Sequence, residues 1–252
     1  ECLAGKSPIK GTELCAVVEY AYSFEVLLSI LGKPEYGDRL EKVIFNALPA
    51  TFSPDMWSHQ YDQQVNQVEC SVRTDREWTT NGPDSNIFGL EPNYGCCTAN
   101  LSQGFPKYAV HLWMGTKDNG LVAMSYAPCE IRTCIQGKKV KIIVDTDYPF
   151  REDININIFV DAPIQFPLYF RIPSWVKSGT ILANSEECIK VEPNDYVKVQ
   201  QEWQNGSTIK VVFPMKPSLE KRYRGAISIA RGPLVYSLKI SEDWKRINKD
   251  KP

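Results

Sequence analysis

The stretch KVKIIVDTDYPFREDININIFVDAPIQFPLYFRI (139–172) decides the fold class, because its apolar residues recur at every second position and turn-forming residues cut it into short runs. Extended backbone sends successive side chains to opposite faces, so a period of two marks strands, whereas a helix has a period of 3.6. The same period governs LVAMSY (121–126) and CEIRTCI (129–135) upstream. Downstream it governs YVKVQ (196–200), STIKVVF (207–213), AISIA (226–230) and LVYSL (234–238). With the three runs inside the opening stretch this makes nine short strands separated by Gly, Pro, Asn and Asp, the pattern of an antiparallel β-sandwich.

Ahead of about Gly115 the pattern is different. TELCAVVEYAYSFEVLLSIL (12–31) reads as a helix with Thr12 as N-cap, apolar on nearly all faces and stopped by Gly32 and Pro34. A second helix is expected over 35–50, where Leu40, Val43, Ile44, Ala47 and Leu48 fall at helical spacing. Residues 51–95, rich in Asn, Asp, Pro, Gly and Ser, read as one long functional loop region. TANLSQGFPKYAVHLWM (98–114) predicts a helix that Pro106 kinks or restarts. Helices followed by strands predict an α+β chain of two domains, with the boundary near 114–120. A helix that is apolar all round needs neighbours on all sides, so further helices are expected N-terminal to this chain, and its own helices should expose apolar surface.

Composition narrows the function. With 252 residues, 43% hydrophobic, 23% charged and a net charge of −1, the chain has no basic excess to attract nucleic acid, and no nucleic-acid partner is expected. No membrane partner is expected either, since the apolar stretch 16–31 is interrupted by Glu19, Ser23 and Glu25. The chain opens on Glu1-Cys2 without a leader, so any export signal would lie outside it; neither compartment nor oligomeric state is legible.

The chemistry concentrates in the cysteines. There are eight, at 2, 15, 70, 96, 97, 129, 134 and 188, an even number that would permit four disulfides in a secreted protein. A disulfide between the adjacent Cys96 and Cys97 would be strained, so those two are expected as thiols. With Cys15 and Glu13 they supply three soft sulfurs and one hard oxygen, a donor set suited to zinc. Four ionised ligands would over-neutralise a divalent cation and leave one thiolate loosely held and reactive. Glu13 and Cys15, two apart, would diverge on a regular helix, so they must sit at its irregular entry turn. Spacing leaves three readings open: a structural zinc, a catalytic thiolate, or unrelated buried cysteines. A dithiol redox pair is disfavoured because no spacer separates Cys96 from Cys97.

Several segments together resemble glycoside hydrolase family 127, the β-L-arabinofuranosidase family: ECLAG (1–5), GTELCAVVEYAYSFE (11–25), His59-Gln60-Tyr61 with Asn66-Gln67, GCCTAN (95–100), GFPKYA (104–109), TDYPF (146–150), RIPSW (171–175) and RGPLVYSL (231–238). The resemblance implies the last helices of an (α/α)6 barrel (1–116) followed by a β-sandwich (117–252). It implies a zinc-dependent retaining glycoside hydrolase that releases terminal L-arabinofuranose, β-linked, from plant-type glycans, although this piece alone is expected to be inactive. Zn2+ would be held by Glu13, Cys15, Cys96 and Cys97, with Cys96 as nucleophile and Glu1 as general acid/base. His59 and Tyr61 would line the sugar pocket; read alone, they are equally a satisfied histidine and a packed loop aromatic. His111 reads as a core histidine, and Trp57, Trp78 and Tyr94 receive no role. The alternative function is a non-catalytic carbohydrate-binding or structural module with a structural zinc.

Overall fold

The structure, a computed structural model, describes residues 5–8, 10–67, 69–72, 74–75, 82–91, 94–184, 187–239, 241, 243 and 245. Three α-helices, α1 (Leu14–Leu31), α2 (Pro34–Lys42) and α3 (Gly95–Val110), lead into the strands. These are β1 (Trp113–Gly115), β2 (Leu121–Ala123), β3 (Cys129–Ile135), β4 (Lys138–Thr146), β5 (Asp153–Val160), β6 (Ile164–Ile172), β7 (Gly179–Ala183), β8 (Glu187–Val191), β9 (Asp195–Trp203), β10 (Ser207–Val212), β11 (Pro217–Lys221), β12 (Ile227–Arg231) and β13 (Leu234–Tyr236). They form a four-stranded sheet in the order β9-β6-β2-β1, a six-stranded sheet β8-β7-β10-β5-β4-β3 and a three-stranded sheet β11-β12-β13.

The expected antiparallel sandwich needs one correction: β2 and β6 pair in parallel, Leu121 opposite Leu168. The chain between them passes through β3, β4 and β5 of the other sheet, and that excursion brings β6 back in the same direction as β2. Ile142, Ile156 and Ile158 of the six-stranded sheet meet Phe166, Leu168, Phe170 and Ile172 of β6 in one apolar core. On β2 the alternation serves two cores. Leu121 and Ala123 join this one, while Val122, followed by Met124, joins a second core with Leu14, Val18 and Leu28 of α1. The four-stranded sheet is therefore a middle layer, and its reverse face carries the helices.

The helices depart from expectation at their ends. Thr12 does not cap α1: Thr12 and Glu13 are extended and pair with Gln63 and Asp62, and the Leu14 N–H donates to the Tyr61 carbonyl at 2.8 Å. Backbone from the loop satisfies that amide, so no side-chain cap forms. The other end is as expected, with Gly32 left-handed at φ 62°. The single helix expected over 35–50 breaks into α2, a π-helical turn (Val43–Ala47) and a 3-10 turn (Pro49–Thr51). The wide turn aims Asn46 at β13, donating to the Pro233 carbonyl and accepting from the Val235 N–H. Pro106 lies inside α3 without ending it.

Among the described residues α1 alone reaches the measure of a membrane span by length and mean hydropathy (1.7), but Leu14, Val17, Val18, Ala21, Phe24 and Leu28 are buried in the protein. Its other side leaves Tyr20 and Ile30 exposed at 53% and 70%, and Leu31 is exposed beside them.

A buried ionic cluster joins helix to sheet. Arg171 of β6 pairs with Asp38 at 2.6 Å and Glu41 at 2.5 Å and donates to the Met124 carbonyl. Glu41 also accepts from Ser125 and Tyr148 at 2.7 and 2.8 Å. Burial opposes the charge on Arg171, but the two carboxylates outweigh it and hold the guanidinium above its ordinary value.

Candidate thiol and metal centre

The site is assembled at two helix entries. Glu13 is the non-helical residue ahead of α1 (φ −68°, ψ 139°), and this extended geometry lets its side chain converge with that of Cys15. Cys96 and Cys97 occupy the first turn of α3, where the helix dipole favours an anion, and the Cys97 N–H donates to the Tyr94 carbonyl at 3.0 Å. Packing of α1 on α3 closes the gap. The Cys15 and Cys97 sulfurs lie 3.3 Å apart, Cys96 Sγ is 4.0 Å from both Cys97 Sγ and Glu13 Oε1, and all four ligand atoms fall within 4.8 Å of one another. The seven described cysteines are all free thiols.

These spacings fit one small cation. Sulfurs about 2.3 Å from a tetrahedral zinc stand about 3.8 Å apart, and the observed separations straddle that value. The donor set, three sulfurs and a carboxylate, is of the kind zinc takes. Without a cation Cys15 and Cys97 resist ionisation: burial pushes Cys15 up to about 11 against the opposing hydrogen bonds of Cys97 and Asn100, and burial, then Cys15, raise Cys97. Cys97 is buried, whereas Cys96 is exposed and faces the outside of the cluster.

The sugar-lining candidates lie nearby in different states. His59 is buried, with Nε2 3.3 Å from the Thr98 hydroxyl, and burial holds its pKa below the usual imidazole value against the opposing pull of Glu91. Tyr61 stacks on Tyr94 with ring centroids 3.8 Å apart, so that face is occupied. Burial and the negative Glu13 and Asp62 raise the Tyr61 phenol. Glu1 and Trp78 fall outside the described residues. His111 is only half-buried, not a core histidine; Nδ1 lies 2.7 Å from the carboxylate of Glu25, which is buried. Glu91, Thr98 and Asn100 were not singled out by the sequence for roles of their own. Thr98 and Asn100 sit within GCCTAN, and Asn100 donates to the Cys96 carbonyl at 3.0 Å.

Fold and site together define a class: a strand-rich chain in which a few helices packed on a β-sandwich present a thiol and carboxylate cluster. Residues 120–215 match the family described as β-L-arabinofuranosidase, GH127 middle domain. A curated relative, the non-reducing end β-L-arabinofuranosidase of Bifidobacterium longum subsp. longum, is 23% identical over 241 residues, covering 89% of this chain and 35% of its own. Similar solved structures include a GH127 β-L-arabinofuranosidase from Geobacillus stearothermophilus T6 (TM-score 0.69, 20% identity) and a GH127 β-arabinofuranosidase (TM-score 0.71, 22% identity). Each is covered over 36% of its length by 89% of this chain. The resemblance to glycoside hydrolase family 127 thus runs through residues 120–215 and through the fold, and the chain spans little more than a third of the length of those relatives.

Proposed function

We propose that this chain carries the thiol centre of a zinc-dependent retaining glycoside hydrolase that releases terminal β-linked L-arabinofuranose from plant-type glycans. The observation that carries the reading is the convergence of Glu13, Cys15, Cys96 and Cys97 within 4.8 Å with Cys96 on the exposed side. Names of the relatives supply the sugar. Glu13, Cys15, Cys96 and Cys97 would hold Zn2+, whose charge, when bound, favours the thiolate over the thiol.

In the first step the Cys96 thiolate pair forms a C–S bond to the anomeric carbon while the bond to the leaving oxygen breaks, and that oxygen takes a proton from Glu1. In the second step Glu1 removes a proton from water, the water oxygen bonds to the anomeric carbon, and the C–S bond breaks to return the thiolate. Two inversions give net retention. His59 and Tyr61 would line the sugar pocket. The helices would be the last of an (α/α)6 barrel ending near residue 116, whose remaining helices cover Tyr20 and Ile30, with the sandwich following from 117.

The test is mass spectrometry of the full-length protein treated with a mechanism-based arabinofuranose inhibitor. The expected label is on Cys96. A label on another residue refutes the nucleophile. No label and no turnover, with zinc retained, would favour a structural zinc in a non-catalytic carbohydrate-binding module.

A further inference from the structure

We propose that Glu91 is a substrate-contacting residue whose carboxylate accepts hydrogen bonds from hydroxyls of the sugar brought to Cys96; the inference rests on the glycosidase reading above. Glu91 lies just ahead of α3 and is exposed. Its Oε2 accepts from the Thr98 hydroxyl at 2.7 Å, and the Thr98 oxygen lies 3.3 Å from Nε2 of His59. Its Oε1 lies across Gly95, the residue before Cys96, where an added Cβ would stand 3.2 Å away. A glycine at that position leaves the carboxylate room to rest on the helix entry.

This line of groups suits a sugar. A carboxylate has about four acceptor directions and Thr98 takes one. Sugar hydroxyls are donors, and their bonds to a charged acceptor are among the stronger ones. Burial keeps His59 below the usual imidazole range, so it does not neutralise Glu91 at neutral pH. Thr98 fixes the carboxylate's orientation through its single proton. The bland role for Glu91 is a solvated anion at the positive end of α3; a hydroxyl-by-hydroxyl comparison separates the two.

The experiment uses full-length protein, a chromogenic β-L-arabinofuranoside and its singly deoxygenated analogues, with wild type, Glu91→Gln and Glu91→Asp. Glu91→Gln should lower kcat/KM on the parent substrate about 10- to 100-fold, mainly through KM. Zinc content and alkylation of Cys96 should be unchanged, and Glu91→Asp should recover part of the loss. On at least one deoxy substrate the wild type and Glu91→Gln should converge. Equal losses on every analogue, or no loss on the parent, would overturn the role of Glu91 alone. A wild type inactive on all of them would overturn the glycosidase reading and this inference with it.

Discussion

At the residue scale the cluster makes different demands on each of its thiols. Cys15 and Cys97 are drawn inward and 3.3 Å apart, where a cation is needed to stabilise charge, so Cys15→Ser or Cys97→Ser should bring zinc measured by elemental analysis well below one per chain. Cys96→Ser keeps an oxygen at the exposed position and should abolish turnover by more than about 1,000-fold. His59 gives a pH prediction with a definite sign. Its native pKa is depressed by burial, so below about 6.5 the unfolded chain binds more protons than the native one and stability is lost as pH falls through the lowered value. Denaturation midpoints of wild type and His59→Asn should diverge at neutral pH and converge in acid; parallel curves would refute the assignment. The types and order of the four candidate donors are readable in GTELC and GCC, but Glu91 is not, since its partners Thr98 and Gly95 belong to a turn that forms only once α3 starts.

At the element scale α2 decides its own sequence against propensity. Alanine in a helix interior is ordinarily favoured over glycine by about 1 kcal/mol. At Gly37, however, an added Cβ would stand 2.4 Å from Arg171 Nε and 2.8 Å from its Cζ, and Arg171 is fully buried and held by two carboxylates. Gly37→Ala should therefore destabilise the protein in urea denaturation, by roughly 1–3 kcal/mol as for other overpacked sites; a gain would show that the cluster yields. Strands with full alternation, such as Lys138–Thr146, were legible. Gly179–Ala183 was not, because its inward positions are Gly179, Ile181 and Ala183, and only a glycine fits between Val191, Val176 and Phe213.

At the scale of the whole molecule the two apolar cores are continuous, since Phe45, Trp113 and Cys129 pack against both. Arg171, Asp38 and Glu41 bind the helices to the middle sheet through ion pairs that exist only while the two layers are packed together. Far-ultraviolet signals from helix and near-ultraviolet signals from the sandwich aromatics should thus melt in one transition. Glu41→Ala should cost about 3–5 kcal/mol, read by the same melt; two separate transitions in the wild type would contradict the coupling. By itself the sequence determined the strand-rich class, the helical start and which thiols and carboxylate are candidate donors, because period, turn residues and ligand chemistry are local properties. Only the tertiary structure decided that β2 and β6 run in parallel, that loop backbone and not Thr12 starts α1, and that Glu13 and Cys15 come within reach of Cys96 and Cys97. Those facts depend on packing between segments remote in the chain, and no local pattern encodes the distance between them.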